Sequence, residues 1–292
     1  MRITEGMRQA ELRRNLQGVS ARHAEATRRA LTGRAVNAPS SDPVAAAELA
    51  RNRLAKAAGD AGRDALMRAR GDLELAEGVL AEAGDLFHRA REIGMQGANG
   101  SYSAAQRADL AKEVEGIKAQ LVDIANTRGS RGYLFAGSQI NAAPFAASGA
   151  FSGDDVEHVV DLGTGTPTSV GVSGERAFTV TGGRDVFADL DALAATLNAD
   201  DATAISGTLT GLDAAREQLT TERADAGLRL ARLETNEAVM DRLSLALAER
   251  DEVVAGADPY AAYSDLVTLG QSLEQAVAVT RRVLELGNLF RL

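Results

Sequence analysis

The sequence has no cysteine and no tryptophan, and only seven Phe and four Tyr in 292 residues. The absence of cysteine excludes a disulfide framework, a thiolate zinc centre and a cysteine nucleophile. Long hydrophobic runs are absent too. The apolar stretches are short and rich in alanine, well below the roughly 20 residues a bilayer span needs, so no membrane insertion is expected. The first residues lack an apolar signal core, because Arg2, Glu5, Arg8, Glu11, Arg13 and Arg14 interrupt them. A cleaved secretory signal is therefore not expected. Aromatics make up 4% of the chain against 45% hydrophobic residues, so the apolar stock is almost all Ala, Leu and Val. A core with few large rings must bury many small side chains, which suits close-packed helices.

Charge is uneven. Residues 1–34 carry eight Arg against three acids, a net of +5, while the whole chain is −9. Residues 262–292 balance three Arg with three acids, which leaves −14 on the rest. A basic arm on an acidic body can signal nucleic acid, but this arm has no Lys and no aromatic residue, and its acids interleave with its Arg. That argues against nucleic acid.

What the chain does have is helical periodicity. Leu12, Leu16, Val19, His23, Ala26 and Ala30 advance in steps of four and three, one stripe of a helix that Gly33 is placed to end. The loop Asn37-Ala38-Pro39-Ser40-Ser41-Asp42-Pro43 follows. Asp42 reads as an N-cap and Pro43 as the first helical position. Leu66, Ala69, Leu73, Ala76, Leu80, Ala83, Phe87 and Ala90 then predict a long helix from Val44 to about Gly97, roughly 80 Å at 1.5 Å per residue. A third helix, from near Ser103, carries Leu110, Val114, Ile117, Leu121 and Ile124 and should stop at Gly129 and Gly132.

Between about Gly132 and Gly183 the texture turns β-like. Strand pieces are expected at Tyr133–Phe135, Val156–Leu162, Thr168–Val172 and Ala177–Thr181. Helix returns at Asp185. From near Ile205 a heptad of Leu212, Leu219, Ala226, Leu233, Met240, Leu247 and Val254 predicts a second long coiled-coil helix. Gly256 and Asp258-Pro259 break it. The last helix bears Leu266, Leu269, Leu273, Ala276, Thr280, Val283, Gly287 and Phe290. The expected fold is mainly α, an elongated antiparallel coiled-coil bundle with a small inserted β-domain. Its expected parts are terminal helices (1–34 with 262–292), a long-helix rod (35–132 with 184–261) and the insert (133–183).

No catalytic, cofactor or metal site is expected. His23, His88 and His158 are scattered and read as structural. Gly163-Thr-Gly165 lacks the third glycine and following helix of a dinucleotide loop. Gly171-Val-Ser173-Gly174 lacks the glycine spacing of a nucleophile elbow. Gly153-Asp154-Asp155 reads as a turn rather than a calcium loop. What remains is assembly. Terminal helices with one apolar stripe each are not stable alone, and their order should be completed against neighbouring subunits. The expected anchors are Leu12, Leu16 and Val19 at one end and Leu266, Leu269, Leu273, Val283 and Phe290 at the other.

The stretch Leu31-Thr32-Gly33-Arg34-Ala35-Val36-Asn37-Ala38-Pro39-Ser40-Ser41-Asp42-Pro43 resembles the loop after the first helix of the flagellin superfamily, with Ser41 where an Asp is usual. Gly132-Tyr133-Leu134-Phe135-Ala136-Gly137-Ser138, Pro144-Phe145, Phe151-Ser152-Gly153-Asp154 and Arg223-Ala224-Asp225-Ala226-Gly227-Leu228-Arg229-Leu230 resemble segments of its hook–filament junction branch. The resemblance covers nearly the whole chain, with a short flagellin filament subunit as the alternative. It implies a structural, non-enzymatic subunit of the extracellular bacterial flagellum. It further implies a ring or tubular layer lined by both terminal helices, with contacts to another hook-associated protein and to flagellin. Export through the flagellar type III apparatus without signal cleavage, and a cytoplasmic chaperone on the C-terminal region, follow from the same resemblance.

Overall fold

The computed structural model describes residues 5–161, 167–179 and 184–289. The elements are α1 (Glu5–Thr32), α2 (Pro43–Gly97), α3 (Ala104–Ala125), β1 (Val159–Asp161), β2 (Pro167–Ser169), α4 (Gly174–Phe178), α5 (Val186–Asn198), α6 (Ala202–Ala255) and α7 (Pro259–Leu289). The two strands pair antiparallel, Val159 opposite Ser169. The fold is therefore mainly helical with one small β segment between α3 and α5.

Helix ends follow local chemistry. Gly33 takes φ +66° just past α1 and its N–H donates to the Arg29 carbonyl at 3.0 Å, the left-handed stop that glycine adopts without a Cβ penalty. Asp42 Oδ1 accepts from the N–H groups of Val44 and Ala45 at 3.0 Å, and Pro43 occupies the first helical position. Ser103 and Gln106 form a reciprocal capping box at α3. Asp185, Asp201 and Asp258 cap α5, α6 and α7 in the same way as Asp42. Each cap satisfies orphan N–H groups, and the carboxylate suits the positive end of the helix dipole.

Two expectations are corrected. The third helix stops at Ala125, ahead of Gly129, because Asn126 is used as a clamp. Its Nδ2 donates to the Phe145 carbonyl at 2.9 Å and its Oδ1 accepts from the Phe145 N–H at 3.0 Å. The β region is also poorer in strand than its residues suggest. Tyr133 makes only an isolated bridge to Arg128. Ala177 and Phe178 lie in α4, whose Ser173 cap accepts from the Arg176 N–H. One helical turn lets Ala177 and Phe178 both point inward, which a strand would forbid because its side chains alternate. Thr179 bridges to Asp185, and positions 180 and 181 lie outside the described residues.

The chain divides into two compact units, 58–241 and 1–57 with 242–292. In the first, the predicted α2 stripe from Leu66 to Ala90 is buried at every position, as are Leu212, Leu219, Ala226, Leu233 and Met240 of α6. Ion pairs flank these seams: Arg63–Asp241, Arg70–Glu237, Glu77–Arg223 and Arg91–Asp213. Rising numbers on α2 meet falling numbers on α6, so the helices run antiparallel. These charges are substantially exposed, so they fix register more than they stabilise. Helix α3 packs on α5.

Five of the seven Phe converge beside this bundle: Phe135, Phe145, Phe151, Phe178 and Phe187, with neighbouring ring centroids 5.1–6.0 Å apart. Phe178 touches three of the others and is fully buried. Phe178→Ala should cost about 3–5 kcal/mol by leaving a ring-sized void. Leu228→Ala, at a position 62% exposed, should change stability by less than about 0.5 kcal/mol. Urea unfolding of the two variants measures both.

Candidate assembly surfaces

In the unit formed by 1–57 and 242–292, α1 packs along α7. The connections at their joined ends are pinned to each other. Ala35 N–H donates to the Ala255 carbonyl at 2.7 Å and Ala257 N–H to the Gly33 carbonyl at 2.9 Å, around an Arg34–Gly256 bridge. Asn37 Nδ2 holds the Arg34 carbonyl at 2.7 Å. Pro39 sits in the turn closed by Ser41 N–H on the Ala38 carbonyl, where its fixed φ is favourable. Asn52 and Arg250 add hydrogen bonds to Asp251 and Glu48. The loop resembling flagellin thus has a stated job: it ties the end of α1 to the start of α7.

The terminal seam is shallow. Leu12, Leu16, Val19, Leu266, Leu269 and Leu273 are half-buried, and Val283 is 41% exposed. Phe290 lies outside the described residues. Only Ala26 of α1 and Ala262 of α7 are fully buried in these two helices, among described side chains. His23 is a seam residue opposite Gly270, where a Cβ would stand 3.7 Å from its Nε2.

The remaining signature positions build the inserted segment. Phe135 is fully buried. Gly137 has φ +66°, and a Cβ there would overlap Asp154; at Gly132 a Cβ would overlap the Ile140 carbonyl. Asp154 Oδ1 accepts from the N–H groups of Ser138 (2.8 Å) and Val156 (3.1 Å), and its other oxygen accepts from the Ser138 hydroxyl. These bonds, led by the Ser138 hydroxyl, hold its carboxyl below the usual range. The carboxylate is thus committed to a turn, and no described cluster of His, Asp or Glu could hold a metal ion. Arg223 pairs with Glu77 at 2.5 Å. Leu230 packs half-buried on the core. Nothing in the structure explains a requirement for glycine at the exposed Gly227.

Sequence reasoning missed the charge clasp between the insert and α6. Glu157 accepts from Ser169, Arg176 and Arg229, the last at 2.7 Å. Arg229 also donates to the Gly171 carbonyl. Burial alone would raise the Glu157 carboxyl, but the Ser169 and Arg229 hydrogen bonds and the two guanidinium charges outweigh it, so it sits below its ordinary value. Glu222 lies 3.9 Å from Arg176. Burial dominates there and pushes it up. Beside the clasp, a cavity of about 30 Å³ is lined by Asp72, Arg131 and His158, room for about one water and far below ligand size. Burial first, then Arg131, lowers His158, opposed by Asp72. Asp72 itself accepts from Ser130 N–H and hydroxyl at 2.6 and 2.8 Å.

A helical subunit with paired chain ends and a β segment inserted between its long helices is the flagellin-like class of axial protein. The bacterial flagellin N-terminal helical region matches residues 3–140. Flagellar hook-associated protein 3 of Salmonella typhimurium is 30% identical over 230 residues, covering 70% of this chain and 72% of that protein. Flagellin E of Vibrio cholerae is 36% identical, but over 85 residues, 29% of this chain and 22% of that one. Among solved structures, the flagellar junction protein FlgL of Legionella pneumophila superposes with a TM-score of 0.58 at 20% identity, covering 70% of this chain and all of that one. The chain belongs to the flagellar hook-associated protein 3 family.

The clasp makes opposite predictions for its two acids. A carboxyl held low stabilises the fold at neutral pH and loses that contribution as pH falls through its depressed value. A carboxyl held high weakens the fold at neutral pH and ceases to do so in acid. Glu157→Gln should therefore cost about 2 kcal/mol at pH 7, the worth of a charge-assisted hydrogen bond, and progressively less as the pH falls below the ordinary carboxyl range. Glu222→Gln should raise the melting temperature at pH 7, with the gain vanishing below about pH 4. Thermal melts from pH 3 to 8 test both.

Proposed function

We propose that this chain is the structural adaptor that joins the flagellar hook to the filament. The observation that carries this reading is the 30% identity sustained over 72% of hook-associated protein 3, against a flagellin match confined to 22% of its length. The role is mechanical, with no catalysis. The chain forms a ring or tubular layer by self-association, meets another hook-associated protein on one side and flagellin on the other, and lies outside the cell. It reaches that place through the flagellar export apparatus without signal cleavage, escorted by a cytoplasmic chaperone on its C-terminal region. No described helix is long and apolar enough to cross a membrane.

In this reading residues 1–34 and 262–292 form the inner assembly element, 35–132 with 184–261 the rod, and 133–183 the outer insert. Leu12, Leu16, Val19, Leu266, Leu269, Leu273, Val283 and Phe290 anchor the assembly. The shallow terminal seam supports this, because half-buried leucines retain apolar area for a neighbour, worth about 25 cal/mol per Å² once covered.

Deleting the last 30 residues should leave the 58–241 unit folded by circular dichroism and its melt, and should abolish filament attachment. Cells with the deletion should keep hooks and shed flagellin into the medium. Filaments attached normally to such cells would overturn the proposal. Bulk growth of the purified full chain into long filaments would select the flagellin alternative.

A further inference from the structure

The turn between α2 and α3 holds a pair of residues that the assembly role leaves unused. Asn99-Gly100 is the only Asn-Gly sequence in the chain, since every other asparagine is followed by a residue with a side chain. Both residues are exposed, and asparagine is chemically labile. The turn is tied down around them. Asn99 N–H donates to the Gln96 carbonyl at 3.1 Å, and the Asn99 carbonyl accepts from Tyr102 N–H at 3.2 Å and from Nη2 of the buried Arg107 at 3.2 Å. The side chain is held as well. Its Oδ1 accepts from Ser101 N–H at 3.1 Å and from the Ser101 hydroxyl at 2.5 Å. Gly100 N–H, in contrast, donates to nothing among the described residues.

Nothing in the fold requires glycine at position 100. Its φ is not in the left-handed region, and a Cβ there would meet no atom within 4 Å. The two common reasons for a turn glycine, positive φ and close backbone approach, are both absent. What glycine leaves there is a backbone nitrogen unshielded by any side chain of its own, next to a side-chain amide.

We infer that Asn99 is a self-modification site, at which the Gly100 nitrogen attacks the side-chain amide and the asparagine deamidates. The Gly100 nitrogen gives its proton to a base in the solvent and bonds to Cγ of Asn99. As that bond forms, the carbonyl electron pair moves onto Oδ1, the atom that already carries the Ser101 donors. Preorganised donors on the oxygen where charge develops lower such a barrier. Oδ1 returns its electron pair, the Cγ–Nδ2 bond breaks, and Nδ2 takes a proton from water and leaves as ammonia. A cyclic imide remains. Water opens it at either carbonyl, giving aspartate or an isoaspartyl link in which the chain runs through the former side chain. Only water is consumed, so the converted fraction rises with the age of the molecule. In the isoaspartyl product the backbone gains a methylene, and the carbonyl held by Tyr102 and Arg107 becomes a pendant carboxylate. That change falls in the turn where Arg107 also grips the Gly97 carbonyl and Asp200. The chemistry is independent of the junction reading.

The purified full chain, kept in mildly alkaline buffer and sampled over weeks, provides the test. Peptide mass spectrometry reads conversion at each asparagine, and enzymatic methylation of isoaspartyl groups reads the second product. Asn99 should convert several-fold faster than any other asparagine and yield both products. Gly100→Ala should slow conversion about tenfold, since the methyl shields the attacking nitrogen and restricts the backbone around it. Ser101→Ala should slow it about fivefold, less than in a water-excluded site because solvent replaces the lost donor. Both substitutions are at exposed positions, so both variants should melt with the unsubstituted chain. No conversion at Asn99, conversion no faster than at the other asparagines, or a rate unaffected by Gly100→Ala overturns the inference. An unchanged rate in Ser101→Ala overturns it too, by showing that the donors on Oδ1 do not assist the attack.

Discussion

The structure depends on one packing constraint: helices of more than fifty residues must lie side by side with almost no aromatic filling. The Leu–Ala alternation meets it. On α2 the stripe from Leu66 to Ala90 interleaves leucines with alanines, and Phe87 is its single ring. Alternating large and small side chains let neighbouring helices approach closely and fill the space between them, as interiors near crystalline packing density require. Each seam residue contributes modestly, and stability comes from the repetition. The flanking pairs from Arg63–Asp241 to Arg91–Asp213 add the register that a repetitive seam lacks. A slip of one heptad would leave the apolar faces matched but would break every one of these pairs.

The aromatic side chains spared by that arrangement are spent on the insert. A segment with two three-residue strands cannot hold its shape through sheet hydrogen bonds, since so short a pairing is marginal in water. Five phenylalanines and the Glu157 clasp supply what the sheet does not. Phe135 and Phe178 meet from elements far apart in sequence, so the cluster staples distant parts of the chain as well as neighbours. That explains why Gly132 and Gly137 are glycines: the backbone there must pass against Ile140 and Asp154 to bring Phe135 inward.

The helices were legible in the sequence because a helix announces itself locally. The 3–4 spacing, Asp42-Pro43 at a start, Asp258-Pro259 at a break and Gly33 at a stop each act within a few residues. The insert was legible only as a change of texture. Ala177–Thr181 has strand-forming residues, but the Ser173 cap and the demand for two adjacent inward side chains favour a helical turn. The stop at Asn126 was hidden for a similar reason: its partner, Phe145, is nineteen residues away. The pairing in the clasp left no sequence signal, although Arg229 falls in a segment that resembles the family. Glu157 and Arg229 lie 72 residues apart, and single charges in a chain with 25% charged residues carry no mark of a distant partner. The signature positions divide in the same way. Gly33, Asp42 and Pro43 explain themselves locally, whereas Arg223 acquires its role only once Glu77 is beside it.

Under the proposed role the shallow terminal seam is a requirement of assembly rather than a defect of folding. A helix pair that buried all its leucines internally would have nothing left for a neighbour and would gain nothing by joining one. α1 and α7 instead share a half-buried stripe and leave Met7, Tyr260, Tyr263 and Val267 exposed. The backbone pin at Gly33 and Ala257 keeps the two helices paired at one end, so the entropy of bringing them together is already met before any neighbour arrives. What association must supply is only the ordering along their length. In that reading the pair stays marginal while the subunit is alone, as isolated helices are, and is completed when a neighbour covers its exposed apolar area.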